Sequence, residues 1–402
     1  MMQKKSLAAL VATLFAVPFA AHADVTIYGF VSSSIESTKA TGATAGSASD
    51  YKSRTRIVDD NSRIGFKGFE DLGNGTKAVW QVEQSLKYFE QGGTNDVGQT
   101  ATFGTRNTFV GLDNSSAGKV ILGYNDSVYK SMTNIGLNLF GDTTAENNGS
   151  SQVYSRGEAR LKNSVHYFSP TWAGFQIGAS YGIDESRLNN TKSDGITYAN
   201  TNGETNATHL SLAANYTNGG LQVAAGWDRT NDSGITGAGA FKSSAYATSA
   251  WSGANLTYTK LAASYKFETG TFVGAGYEFG RFDQAAAGAN SLKQDDWTFS
   301  IGQDIGAATL KLEYSSLGSL KGAAAGTEDN YKAHQWTLGA DYNLSKSTKL
   351  FSYYTKISNK SAQAADFANT PIYNTVDTTK NTGVLNAGAN PQAFGVGLKV
   401  AF

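Results

Sequence analysis

Arg63, Lys67, Arg106, Arg160 and Lys162 stand where an alternating residue pattern turns them toward one side of a wall. In the first run, Ile64 and Phe66 take the apolar face, so Arg63, Gly65 and Lys67 take the polar one. Ala78, Trp80 and Val82 likewise leave Lys77 and Glu83 on the polar side. Arg106 shares parity with Thr108 while Phe109 faces the other way, and Arg160 and Lys162 oppose Val165 and Tyr167. Asp142, Glu146 and Glu158 lie in a polar segment, about 130–159, that follows the fifth alternating run and can reach the same space. Cations on a wall facing carboxylates on a loop set up a transverse field, and charged side chains arranged in this way sort ions and solutes. The chemistry is selection, not bond making. The plainer reading is that each charge is solvated and paired locally, since a watered channel wall tolerates charge cheaply.

Bond-making chemistry has little support. The 402 residues contain no cysteine, which excludes a disulfide scaffold, a thiol-ligated zinc site and a thiolate nucleophile. A Ser/His lipase would need a converging serine and an acid or amide partner, and nothing marks one. His166 and His209 fall on polar faces, and His334 sits near the end of a run. Gly274, Gly276 and Gly280 approach a dinucleotide-binding loop, but the spacing is wrong and no helix follows, so a strand is the better reading. Asp142, Glu146 and Asn147, or Asn189 and Asn190, offer oxygens to Ca²⁺ without any EF-hand spacing, and a solvated loop is favoured. No catalytic residue, metal ligand or cofactor is expected. Lys+Arg and Asp+Glu are each 33, which leaves no bulk field for nucleic acid.

The elements that must position these charges are strands. Leu210, Leu212, Ala214 and Tyr216 oppose His209, Ser211, Ala213 and Asn215. Trp336, Leu338, Ala340 and Tyr342 oppose Gln335, Thr337, Gly339 and Asp341. Phe394, Val396, Leu398, Val400 and Phe402 oppose Gly395, Gly397, Lys399 and Ala401. This period of two fits a soluble sandwich with apolar residues inside, or a membrane barrel with them outside and a polar lumen. The polar faces carry small residues and isolated charges, and Tyr, Trp and Phe sit near strand ends as an interfacial girdle requires. Only 4 prolines occur, and Pro170, Pro371 and Pro391 all fall outside strand interiors.

Connections alternate short and long. Short ones fall at 71–75, 113–118, 169–174, 217–220, 268–271, 305–307 and 343–347. Long polar ones fall at 38–60, 89–101, 130–159, 185–205, 231–252, 284–292, 319–330 and 360–390. They join sixteen antiparallel strands, expected near 24–37, 61–71, 75–88, 102–113, 118–128, 160–169, 173–184, 206–217, 220–230, 253–268, 270–283, 293–305, 307–318, 331–343, 347–359 and 391–402. The expected fold is an all-β, closed transmembrane barrel, because an open sheet edge in lipid leaves backbone groups unsatisfied. Even parity puts both ends of the barrel chain at the short-turn side, the periplasmic side in such barrels.

Residues 1–23 read as a cleaved signal peptide. Lys4 and Lys5 are its basic region, Ser6 to Ala21 its apolar stretch, and Ala21-His22-Ala23 its cleavage site. The barrel domain is then 24–402. No later run holds 18 uninterrupted apolar residues, so no spanning helix is expected.

Several stretches resemble the general porins of Gram-negative bacteria, in particular the trimeric β-proteobacterial type. These are Asp24-Val25-Thr26-Ile27-Tyr28-Gly29, Ser62 through Gly73, Phe109-Val110-Gly111-Leu112, and Asn163 through Pro170 followed by Gly174-Phe175. They span the chain from 24 to Phe402. The resemblance implies an outer-membrane homotrimer set in lipid and lipopolysaccharide, with a water-filled sixteen-stranded channel for ions and small hydrophilic solutes. It implies that the third loop, about 130–159, folds into the lumen as a constriction with opposed charges. It further implies that Phe402 is read by the barrel-assembly machinery. Tyr124 departs from the pattern, since related porins often carry Arg there, which leaves the strength of any anion preference open.

The expectation is passive, weakly anion-preferring diffusion, with the cations outnumbering the loop acids at the constriction. A solute-specific channel would want a run of lumen-facing aromatics, whereas these polar faces are mostly Gly, Ser, Thr, Ala and charges. A plugged, adhesin-like barrel is a further alternative.

Overall fold

Leu212, Val223, Leu261, Leu338, Val396 and Leu398 are exposed, while Ser211, Ala224, Lys260 and Thr337 beside them are buried. The apolar side of each strand therefore faces outward, the inverse of a soluble sandwich and the arrangement that lipid requires.

The computed structural model describes residues 24–86, 103–149, 152–187, 206–233, 254–283, 291–372 and 385–402. Among them, seventeen extended segments form one sheet. They are β1 (Asp24–Thr41), β2 (Tyr51–Asp59), β3 (Arg63–Gly73), β4 (Thr76–Ser85), β5 (Thr108–Asn114), β6 (Gly118–Asp126), β7 (Arg160–Phe168), β8 (Phe175–Arg187) and β9 (Asn206–Asn218), then β10 (Leu221–Ser233), β11 (Ala254–Lys266), β12 (Thr271–Asp283), β13 (Leu292–Ile305), β14 (Ala308–Leu317), β15 (Ala333–Asn343), β16 (Thr348–Asn359) and β17 (Asn390–Ala401). Apart from β2 and β3, which both pair with β1, each pairs antiparallel with the next, and β1 closes the ring on β17 from Phe30 opposite Ala401 to Thr41 opposite Asn390. β1 pairs with β3 along its first half and with β2 along its second, so β2 and β3 are two halves of one strand. The barrel thus has sixteen strands, as expected.

The break between β2 and β3 has a local cause. Asp59, Asp60, Asn61 and Ser62 are turn-forming residues, and Asn61 takes the left-handed conformation at φ 57°. Ser62 Oγ replaces the missing ladder bonds, donating to Ser32 O (3.0 Å) and accepting from Ser32 N (2.9 Å).

Most strand limits match their expectation within two residues, as in β12 and β16. Two do not. Segment 38–60, expected as a long loop, is largely strand: β1 runs on to Thr41 and β2 occupies Tyr51–Asp59. Its residues are polar on both faces but still alternate, with Thr38 and Ala40 buried and Ser37, Lys39 and Thr41 exposed. The strand expected from 102 begins only at Thr108. The signal peptide at 1–23 and most of the segments at 89–101, 185–205, 231–252 and 284–292 lie outside the described residues.

Candidate pore constriction

Segment 127–159 leaves β6 and enters the barrel. Ser127 caps a short helix, α1 (Val128–Thr133), by accepting the Lys130 N–H on its side chain. Val128, Tyr129 and Met132 are buried against the inner wall of β8 to β10. Removing such side chains from lumen water contributes roughly 1.5–3 kcal/mol each.

Beyond the helix the segment is tied to successive strands by polar groups on their inner faces. Ser264 Oγ donates to Ile135 O (2.9 Å), Ser300 Oγ to Leu137 O (2.6 Å), and Gln335 Nε2 to Ala145 O (3.1 Å). Leu139 N donates to Glu313 Oε2 (3.0 Å), and Lys311 Nζ to Leu139 O (3.0 Å). On the return path, Ser155 N donates to Asp296 Oδ1 and Gly157 N to Glu278 Oε1, both at 3.1 Å. The strands make room for this layer with small residues. A Cβ on Gly276 would overlap the Tyr154 hydroxyl, one on Gly274 the Leu137 side chain, and one on Gly178 the Met132 sulfur. The Gly274–Gly280 run is therefore a strand whose inner face accommodates a loop.

With one side of the interior covered, an open space faces β2 to β7. It has a volume of about 390 Å³ and is bounded by Arg106, Lys130 and Arg160, by Asp59, Glu146 and Glu158, and by amides including Asn61, Asn148 and Asn369. The structure brings together Arg106, Arg160, Glu146 and Glu158 from the expected set. Arg106 Nε pairs with Glu83 Oε1 (2.6 Å), and Arg106 Nη1 donates to Asn61 Oδ1 (3.2 Å). Arg160 Nε (2.9 Å) and Lys130 Nζ (3.4 Å) share Asp126 Oδ1. Glu158 accepts from Asn148 (3.1 Å), Ser155 (2.6 Å) and Lys260 (3.4 Å). Glu146 accepts from Asn138 Nδ2 (2.7 Å), Asp142 N (3.0 Å) and Asn369 Nδ2 (2.8 Å).

Arg63 and Asp142 act as a tie. Arg63 pairs with Asp142 Oδ1, to which Asn61 Nδ2 also donates at 2.9 Å, and Lys399 Nζ lies 3.2 Å from Asp142 Oδ2. The tip of the inward segment is thereby bound to β3 and β17 on the far wall. Burial pushes the Asp142 carboxyl up, but Arg63 and Lys399 outweigh this and hold it below its ordinary value. Burial pushes Glu146 up, and the neighbouring Asp142 charge adds to the rise.

Besides Arg63, held in that tie, two expected cations do not bound this space. Lys67 is exposed toward the short-turn side and stacks 5.1 Å over the Tyr28 ring. Lys162 is exposed, while Leu161, Ser164 and His166 are buried. The cause is a bulge: Asn163 has φ 47°, and the register of β6 with β7 shifts between Gly123 and Asn125. Parity counted through a bulge assigns the wrong face. Phe402 is exposed at 56 % and exchanges backbone bonds with Gly29 at 3.0 and 3.1 Å.

Sequence reasoning missed Asp59, Asn61, Lys130 and Lys399, and a second inward segment. Residues 360–372, expected as external loop, fold inward with Ala365, Phe367, Ala368 and Ile372 buried. Arg56 holds the segment by donating to Thr370 O (2.8 Å) and Pro371 O (3.0 Å). The available signal was the apolar cluster Ala364, Ala365, Phe367 and Ala368 inside a polar stretch.

Other candidate chemistry is tied up elsewhere. His166 Nε2 lies 2.8 Å from Ser164 Oγ, but both are buried and His166 Nδ1 has no hydrogen-bond partner. A catalytic imidazole needs an orienting group there. Asn147 Nδ2 donates to Thr298 (3.1 Å) and Ser315 (2.6 Å), and Glu146 accepts from the donors named above.

Comparison with known proteins agrees with this architecture. Residues 6–362 match the family described as Gram-negative porin. The major outer membrane protein P.IB of Neisseria lactamica is 30% identical over 349 residues, covering 86% of this chain and 90% of that one. P.IB of Neisseria meningitidis serogroup B is 35% identical over 223 residues, which span 58% of its length. Among solved structures, an anion-selective porin from Comamonas acidovorans superposes with a TM-score of 0.69 at 23% identity, over 95% of this chain and 100% of that one. A loop L8 deletion form of OmpT from Vibrio cholerae gives 0.63 at 16%, over 94% and 99%. These last two likenesses speak to the fold alone.

Proposed function

The chain belongs to the Gram-negative porins, and from that premise we propose that it is a general diffusion channel of the outer membrane. It passes ions and small hydrophilic solutes through a watered lumen narrowed by segment 130–159. Residues 1–23 act as the cleaved export signal and 24–402 as the barrel. The protein works as a homotrimer, and the assembly machinery reads Phe402. It carries no catalytic activity.

One observation carries the reading: the space of about 390 Å³ is lined by charges of both signs on opposed elements, with amides between them. Such a lining suits hydrated solutes of many kinds and fits poorly with a dedicated sugar site. Tyr129 and Tyr154 on the inward segment and Tyr353 on β16 are buried and so form no exposed slide.

Selectivity is weak and favours anions. Glu83 offsets Arg106, Asp126 is shared by Arg160 and Lys130, and Lys260 offsets Glu158. Compensation of this kind leaves a transverse field with a small net charge. Exposed charges more than a Debye length away, about 8–10 Å at ordinary salt, are screened.

The test is single-channel recording of purified trimer in a planar bilayer under a salt gradient. A general porin gives stable conductance, a small anion-preferring zero-current potential and no block by individual sugars. Absence of conductance would identify a plugged barrel, and block by one solute a specific channel.

A further inference from the structure

The strands from β14 round to β1 bring cations together beside the tip of the inward segment. Lys311 lies on β14, Asp341 on β15, Lys349 on β16, Lys399 on β17 and Ser32 on β1. Ser32 is directly opposite Lys399, and Lys399 directly opposite Lys349. The lysines of β16 and β17 turn inward, since Phe351, Tyr353 and Ala393, of matching parity, are buried. These side chains line a cavity of about 30 Å³ together with Phe140 and Asp142 of the inward segment. It is separate from the narrow space bounded by Arg106 and Arg160.

The charges around this cavity do not balance. Asp341 is shared by Lys311 (2.7 Å) and Lys349 (2.6 Å). Asp142 is shared by Arg63 and Lys399 (3.2 Å). Four cations thus meet two carboxylates. Lys349 and Lys399 are like charges directly opposite across a strand pair, an arrangement that destabilises a sheet. Phe30 offers its ring to Lys399 at 3.5 Å, and Phe140 offers its ring to Lys311 at 4.5 Å. Ring faces attract a cation without neutralising it. Hydrogen-bond donors also remain. An ammonium carries three N–H groups, and Lys349 and Lys399 each give one to a carboxylate.

Size narrows the choice of ligand. The cavity volume of about 30 Å³ suits about one water-sized species. A monatomic anion fits there, whereas sulfate, phosphate and organic acids are too large.

We propose that this cavity is a site for a single halide ion, chloride in ordinary salt. The ion sits between the Lys349 and Lys399 ammonium groups, with the Ser32 hydroxyl as a third donor. It separates the two lysines electrostatically and, through Lys399, fastens the Asp142 tip to β16 and β17. It is a resident ion of the fold, distinct from the ions that cross the narrow space.

The test uses the purified protein folded in detergent. Thermal unfolding is measured in sodium chloride and in sodium gluconate at equal ionic strength, and crystals grown in sodium bromide are probed by anomalous diffraction. General salt effects act alike on wild type and variants, so the chloride-minus-gluconate difference is compared between proteins. In wild type that difference should be larger and grow with halide concentration, as binding to the folded state requires. A bromide peak should lie between Lys349 Nζ and Lys399 Nζ. Lys349→Gln, in which Asp341 keeps Lys311, should lose both the extra difference and the peak. Ser32→Val fills the cavity without altering any charge and should lose both as well. The same difference in wild type and variants overturns the proposal, as does a wild-type crystal without the peak. If Lys349→Gln fails to fold, Ser32→Val decides alone. Absent conductance would count against the channel reading and leave this site standing, so the two fail separately.

Discussion

Asn369 Nδ2 donates to Glu146 Oε2 at 2.8 Å, joining two inward segments that lie 223 residues apart in the chain. The bond places part of the last long connection at the same narrow point as the third. Thr144 and Thr370 meet beside it, and Gln152 Nε2 reaches Asp366 O at 3.3 Å. Two loops, not one, therefore shape the lumen.

Excising residues 364–370 should raise single-channel conductance, because Ala368, Asn369 and Thr370 bound the narrow space. Planar-bilayer recording at fixed salt checks this. Unchanged conductance would remove the segment from the ion path.

Replacing Arg106 or Arg160 with Gln should move the zero-current potential toward cation preference, most at low salt where screening is least. Each variant removes one positive charge and leaves a less compensated carboxylate, Glu83 with the Tyr28 hydroxyl or Asp126 with Lys130. Lys162→Gln, at an exposed position that does not bound the space, should leave the potential at its wild-type value. A Lys162 effect as large as that of Arg160 would contradict the bulged register of β7.

Glu146 should supply a pH dependence. Its carboxyl is raised by burial and by Asp142, so it takes up a proton at higher pH than an ordinary glutamate. Protonation removes a negative charge from the narrow space. Anion preference should therefore increase as pH falls from neutral toward the ordinary glutamate range. Glu146→Gln should be more anion-preferring at neutral pH and lose this part of the pH response. Matching titration curves for the two proteins would rule out Glu146 as the group responsible.

Gly276→Val should press on the inward segment, since any Cβ there overlaps the Tyr154 hydroxyl. Overpacking of this kind costs about 1–3 kcal/mol. The segment can relieve the clash only by moving toward the lumen, so conductance should fall while the barrel still assembles. Thermal unfolding and single-channel current measured on the same preparation check both halves. The β-strand itself tolerates the substitution, so a loss of stability without any change of conductance would mean that Tyr154 simply rotates away.

What the sequence determined by itself was everything that depends on a period of two. Val396, Leu398 and Val400 against Gly395, Gly397 and Lys399 identify a strand with one lipid face wherever it sits. Short and long connections then count the strands and orient them. Parity also turned Arg63 and Glu83 inward, because alternation needs no knowledge of neighbours. It failed for Arg106, which lies in the bend before β5, where Val110 and Leu112 rather than Phe109 take the outer face. The tertiary structure decided what alternation cannot carry. The bulge at Asn163 reverses the face assigned to Lys162, and the break at Asn61 makes a hub for Arg106 and Asp142. The inward path of 360–372 depends on Arg56 and Asn369 finding partners far away in the chain. Charge compensation was hidden for the same reason. Glu83 beside Arg106 and Lys260 beside Glu158 are long-range pairs, and pairing sets the field that an ion meets. Periodicity is local and survives in the sequence, whereas the sign and strength of a constriction come from contacts that exist only once the barrel has closed.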